Sequence, residues 1–274
     1  MPPLPPLAAD RFQAFSTQHL LLIAAALLGC VAAAVLGRRL AAAAAATEDR
    51  VRRGLALAVL AFTVPLQVLQ LLPGDFDLGT SLPLQVCDLS WMLAAYALWT
   101  RDRGACALLY FWASTLVTQA IVTPSLQQAF PDPRWWMFWG MHLASVWAMV
   151  LLVALGERPT WRGYRVAVGA TLAWVVTMMC FNALTGTNYG YLNRKPAVGS
   201  PLDLLGPWPG YVVAEVVVIA AVWALLTLPW VVRRRRSHAD RAAYGEDEEG
   251  AGHHERGDDL QGLERPDAVA DRAQ

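Results

Sequence analysis

Seven stretches of this chain are apolar over about the length a helix needs to cross a lipid bilayer, and no other feature narrows the fold so far. A hydrocarbon core of about 30 Å takes roughly 20 apolar residues in helical form. The stretches lie at 18–36, 54–72, 84–100, 105–122, 137–155, 166–184 and 210–232. The third is short and led by a proline. Composition agrees, with 56% of the 274 residues apolar and 16% charged, where soluble domains carry about a quarter charged residues. The expected fold is all-α, a polytopic bundle of seven transmembrane helices. Residues 1–17 read as a Pro-rich extracytoplasmic lead, 18–232 as the transmembrane domain and 233–274 as a disordered cytoplasmic tail.

Charge in the connections orients the bundle. Segments 37–53, 101–104 and 156–165 and the run Arg233 to Arg236 hold fourteen arginines, and the opposite connections hold four basic residues, Arg11, Arg134, Arg194 and Lys195. Cytoplasmic loops are enriched in Lys and Arg, so the N-terminus is expected outside and the C-terminus inside, at a cell membrane. The opening "MPPLPPLAAD" lacks the basic region of a signal peptide and is expected to stay attached. The run Ala41–Ala46 reads as helix projecting from the first span. The tail is charged and Gly-rich, with too few large apolar groups to order itself. Its His253 and His254 lack the fixed spacing of a metal site, and no metal or soluble cofactor is expected.

At 1.5 Å per residue, polar groups in five spans fall at one depth toward the outside. These are Cys87 and Asp88 in the third span, Gln119 in the fourth, His142 in the fifth, Asn182 in the sixth and Glu215 in the seventh. Ionisable groups facing lipid cost several kcal/mol, so they point inward and mark candidate sites. A shared polar cavity is expected, against the plainer reading of snorkelling or helix-to-helix hydrogen bonds. Cys30 and Cys106 read as small hydrophobes. Cys87 sits at a helix N-terminus, which favours a thiolate, although the adjacent Asp88 opposes that charge. A Cys87–Cys180 disulfide at the oxidising face is the structural alternative.

The stretch Asn182 to Tyr211, "NALTGTNYGYLNRKPAVGSPLDLLGPWPGY", is an outer loop rich in helix breakers and interfacial rings. It can act as a lid, and Arg194 and Lys195 can hold an anionic headgroup. The plainer reading is a packed interfacial loop with a solvated basic pair.

The motifs "LPLQVCDLS", "LLYFW", "TP" at Thr123 and Pro124, "FPDPRWWMFWGMH", "RPTW" and "TGTNYGYLNRKP" followed by "LDLLGPWP" resemble bacterial YwaF-like integral membrane proteins. The resemblance covers residues 54–232, and these proteins in turn resemble the eukaryotic transmembrane-protein-164 family. That likeness implies an acyltransferase that builds polyunsaturated ether phospholipids with a membrane cysteine and histidine, in the bacterial cytoplasmic membrane. By motif these fall on Cys87 and His142. Asn188, Tyr189, Tyr191 and Asp203 match the pattern without an assigned role. Where the resemblance implies a histidine two positions before the cysteine, this chain has Gln85, which can present a carbonyl but cannot take a proton.

The expected function is therefore phospholipid acyl transfer, or lipid hydrolysis, with Cys87 as nucleophile and His142 as base. The oxyanion would be held by N–H groups at the start of the third span or by Asn182. Gln85, Gln119, Asn182, Asn188, Tyr189, Tyr191, Arg194, Lys195 and Glu215 would bind the lipid. Membrane lipids are the expected partners, with no nucleic acid and no obligate protein partner. The competing readings are a seven-helix transporter or receptor, with His142 and Glu215 binding ligand or protons, and a structural subunit.

Overall fold

In a computed structural model, which describes residues 11–196 and 201–233, the chain is all-helical, with no strand among those residues. Seven long helices follow in order: α1 (Thr17–Ala41), α2 (Ala45–Gln70), α3 (Val86–Thr100), α4 (Arg103–Val122), α5 (Pro133–Ala154), α6 (Trp161–Thr185) and α7 (Gly210–Arg233). The compact unit extends to Thr227, and residues 228–233 are helical. Six of the helices are long and apolar enough to cross a membrane. The chain is an integral membrane protein, folded as a multi-pass helical bundle. The part of the expected lead before residue 11 and the tail after Arg233 lie outside the described residues.

Local sequence sets most of the boundaries. Ser16 caps α1, accepting from the His19 N–H at 3.4 Å. Asp102 caps α4 and Asp132 caps α5, where Pro133 occupies the first turn and lacks the N–H that would go unsatisfied there. Thr160 caps α6. Within α4, Ala113–Val117 is a π-helical turn. There the Thr118 hydroxyl donates to the Ala113 carbonyl at 2.7 Å, and Thr115 accepts from the Trp223 indole at 3.0 Å.

Two expectations are corrected. Ala42–Ala44 is a turn, and the alanine run splits between the end of α1 and the start of α2. Alanine's helix propensity is worth only tenths of a kcal/mol per residue. Reversing here starts α2 early and places Glu48, Asp49, Arg52 and Arg53 on its first turns, where they pair with one another. The third span, expected over 84–100, has 15 helical residues, about 22 Å and shorter than the hydrocarbon core. It is enclosed by other helices, with Trp91, Ala94, Ala97 and Leu98 buried. Non-helical backbone at its mouth is tolerated because protein satisfies it: the Trp174 indole donates to the Leu84 carbonyl at 2.9 Å.

The centre and rim of the bundle separate by burial. Within the most apolar windows, 56% of α5 and 50% of α4 are buried, against 17% of α1 and of α2. The exposed faces remain apolar, with Leu27 and Leu28 on α1, Leu57 on α2 and Val217 and Leu225 on α7. That is the pattern of surfaces that meet acyl chains rather than water. Helix α1 lies along α5. The Trp147 indole donates to the Ala26 carbonyl at 3.0 Å, and a Cβ on Gly29 would sit 2.1 Å from that ring.

One end gathers the basic connections. Arg52 donates to the carbonyls of Leu98 and, at 2.7 Å, Trp99, closing the C-terminus of α3. Arg101 adopts a left-handed backbone (φ 54°) and binds Glu48 at 2.7 Å and Glu157 at 2.7 Å. Partial burial works against its charge, but the hydrogen bonds and charges of Glu157 and Glu48 outweigh it and push its pKa up. At the opposite end are residues 11–16, 71–85, 123–132 and the loop after α6, joined by contacts such as the Phe12 N–H to the Gln127 carbonyl at 3.2 Å.

Candidate active site

A cavity of about 600 Å³ begins among the connections of that opposite end and runs down between α4, α6 and α7. The volume is typical of small-molecule sites. Polar groups line the part near the loops: Gln85, Asp88, Gln119, Ser125, Arg134 and Glu215. Deeper, the lining turns to Leu116, Val168, Leu172, Val216, Ile219 and Trp223. Cys87 and His142 both line it.

His142 is held in one protonation pattern by its own helix. Its Nδ1 lies 2.5 Å from the Phe138 carbonyl, an acceptor, so Nδ1 carries the hydrogen and Nε2 the lone pair. The ring is 1% exposed, and Nε2 is buried with no hydrogen-bond partner among the described residues, the Cys87 thiol included. A buried polar atom left unpaired costs about 1–3 kcal/mol. Phe138 packs on the ring at 4.2 Å between centroids and fixes its plane.

Cys87 is half-buried at the first turn of α3, beside Phe138 and Met141 of α5. Cys87 and Cys180 are both free thiols, so the alternative disulfide is not formed. Asp88 accepts from the Gln85 N–H at 3.1 Å and closes the start of α3. Gln85 presents its side-chain carbonyl to the Gly190 N–H at 2.8 Å. Glu215 has no hydrogen bond or ion pair among the described residues and faces the cavity from α7.

The loop after α6 divides the remaining expected residues. Tyr191 lines the cavity and donates to the Ser125 hydroxyl at 3.2 Å. Asn182 is fully buried but outside the lining. Its amide donates to the Tyr189 carbonyl at 2.9 Å and accepts from the Tyr189 N–H at 2.8 Å, pairing with that backbone as a strand would. Tyr189 is buried, and its hydroxyl donates to the Leu78 carbonyl at 2.7 Å. Burial pushes that phenol's pKa up and keeps it a donor. Asn188 bridges to the Arg194 backbone. Lys195 lies 3.9 Å from Asp203 and 5.4 Å from the Tyr211 ring. Neither Arg194 nor Lys195 lines the cavity.

A profile of the TMEM164 family matches residues 14–227, which takes in the first six helices, most of α7 and every lining residue named above. The chain belongs to the TMEM164 family. No curated protein and no solved structure matches it. Within this family member, six of the eleven expected site residues share the cavity: Cys87, His142, Gln85, Gln119, Tyr191 and Glu215.

Reading along the sequence missed Trp174, Gly190, Trp223 and Arg134 as parts of this TMEM164 cavity. Gly190 has φ 69°, and a Cβ there would lie 2.3 Å from the Trp174 ring. In sequence Trp174 is one apolar ring within a span, and only the folded loop brings Gly190 down on it. Arg134 follows the Asp-Pro pair that starts α5, a signal for a helix beginning whose side chain sits at the rim.

Proposed function

We propose that this integral membrane protein transfers an acyl chain between phospholipids through a thioester on Cys87, with His142 carrying the proton. The reading rests on one arrangement. A buried imidazole with its Nδ1 hydrogen committed and its Nε2 lone pair unpartnered shares a cavity with a thiol at a helix N-terminus. A lone pair kept free of protein partners is what a general base requires, and nucleophile–base contacts are often loose before substrate binds.

In the first half-reaction the Cys87 proton passes to His142 Nε2, and the sulfur attacks the ester carbonyl of a phospholipid. The carbon–oxygen bond breaks, and the departing glycerol oxygen takes the proton back from Nε2. In the second, the hydroxyl of a lysophospholipid gives its proton to Nε2 and attacks the thioester. The sulfur then leaves as thiolate and is reprotonated. Asn182 has its amide engaged by Tyr189, so the oxyanion falls to the first N–H groups of α3, which have no partner within the helix. The loop held over the cavity by Gln85 and Trp174 limits water, which favours transfer over hydrolysis. The site lies at the outer face of the cell membrane.

The test uses the purified full chain and a phospholipid with a radiolabelled acyl chain. Label should collect on Cys87 in a hydroxylamine-sensitive bond and pass to added lysophospholipid. Cys87→Ala should abolish labelling, and His142→Ala should slow it by about a hundredfold or more. Undiminished transfer by Cys87→Ala would overturn the mechanism. Transport of a solute in proteoliposomes by a wild type that never labels would favour the transporter reading.

A further inference from the structure

The loop bases Arg194 and Lys195 stand apart from the cavity, yet its mouth does carry a cation. Arg134, one residue into α5, is the one Lys or Arg among the described lining residues. Its guanidinium donates to the Thr80 hydroxyl at 3.3 Å and to the Asp75 carbonyl at 3.0 Å, both neutral acceptors. No acid pairs with it among the described residues; nearby Asp132 accepts from its backbone N–H instead. This contrasts with Arg52, Arg53 and Arg101, each bound to a carboxylate.

A guanidinium has five N–H donors in a planar fork, and two of the contacts above hold it in place. The rest, and the whole positive charge, remain for an anion. Two bonds to the 71–85 connection restrict the side chain, so less freedom is lost when a ligand binds. Ser125, Gln127 and Gln128 line the same rim and can supply neutral hydrogen bonds. The fork geometry suits the oxygens of a phosphate. The apolar depth of the cavity, Leu116, Leu172, Ile219 and Trp223 among its lining, separates a lipid from free phosphate as the source. A phosphate at the rim joined to acyl chains below matches the polar-to-apolar order of the lining.

We propose that Arg134 is the phosphate-binding residue of this cavity and seats the headgroup phosphate of a glycerophospholipid at its mouth. Arg194 and Lys195 have no part in that contact. The inference deepens the acyl-transfer reading and names the group that would position its substrate. It concerns binding alone, so it is tested on the Cys87→Ala chain, where no chemistry can intervene.

The full-length Cys87→Ala protein in detergent is titrated with dihexanoyl phosphatidylglycerol, with dihexanoylglycerol, which lacks the phosphate, and with inorganic phosphate. The phosphatidylglycerol should bind at least tenfold more tightly than dihexanoylglycerol. Adding Arg134→Gln should erase that ratio while dihexanoylglycerol binds as before. Arg134→Lys should keep part of it, and Arg194→Gln should leave it intact. Unchanged dihexanoylglycerol binding also reports that each variant is folded. A ratio that survives Arg134→Gln, or one lost in Arg194→Gln, overturns the assignment. Inorganic phosphate binding as tightly as the lipid overturns the lipid as its source. Absence of acyl transfer by the wild-type chain, with the binding ratio intact in Cys87→Ala, would count against the thioester mechanism and not against Arg134.

Discussion

Gly190 links backbone conformation, packing and access to the thiol. Its left-handed φ of 69° and the 2.3 Å separation its Cβ would have from Trp174 both exclude a side chain. Its N–H meanwhile bonds Gln85 two residues from Cys87. In Gly190→Ala the strained backbone costs about 1–3 kcal/mol, and displacing Trp174 costs a similar amount. The expected result is a lower apparent Tm together with faster modification of Cys87 by a soluble maleimide, measured on a chain lacking the other three cysteines. A lower Tm with unchanged Cys87 reactivity would mean that the loop does not cover the thiol. Gln85 has a related part. Where the resemblance led us to expect a histidine, glutamine offers the carbonyl oxygen that the Gly190 N–H needs, which is a use for the residue without proton transfer. His142 and Cys87 were legible as isolated polar residues in apolar spans. The free Nε2 was not, because it depends on where the Phe138 carbonyl and the neighbouring helices come to lie.

Among the helices, α3 departs furthest from what its sequence suggested. At 15 residues it is too short to span the hydrocarbon core alone, and other helices complete it at both ends. Gln85 and Asp88 close its start. Arg52, 5% exposed, donates to the last carbonyls of α3 from the first turns of α2. Positive charge there also complements the helix dipole. Arg52→Met removes this cap, leaves the α3 carbonyls without their donor and takes one of two basic partners from each of Glu48 and Asp49. A loss of about 3 kcal/mol or more is expected, read as a drop in apparent Tm of the purified protein. Arg53→Met, at an exposed pair, should change it by under about 1 kcal/mol. Equal effects would contradict the capping role. Arg50, Arg52 and Arg53 read in sequence as loop charges that orient the chain; their place on α2 follows from the turn at Ala42–Ala44, which no local propensity favours.

For the molecule as a whole, the two ends of the bundle differ in charge, and that difference carries the proposed orientation. With Gly74→Cys in the connection after α2, where an added Cβ meets nothing within 4 Å, and Ala43→Cys in the exposed turn after α1, a membrane-impermeant maleimide added to intact cells should label only the first. Opening the cells should expose the second. The reverse pattern would invert the bundle and place the cavity toward the cytoplasm. Hydropathy was enough to identify a multi-pass helical membrane protein and to set most helix limits within a few residues, because lipid demands long apolar helices whatever they pack against. Depth along each helix could likewise bring Cys87, Gln119, His142 and Glu215 to one level. It could not separate those from Asn182, which has the same depth but turns its amide to the backbone of Tyr189. Nor could it tell Arg134 at the cavity mouth from Arg194 outside it. Rotation about a helix axis and the path of a long loop leave no trace in hydropathy; they follow from how side chains of distant segments fit together, and here that fit is what made the cavity.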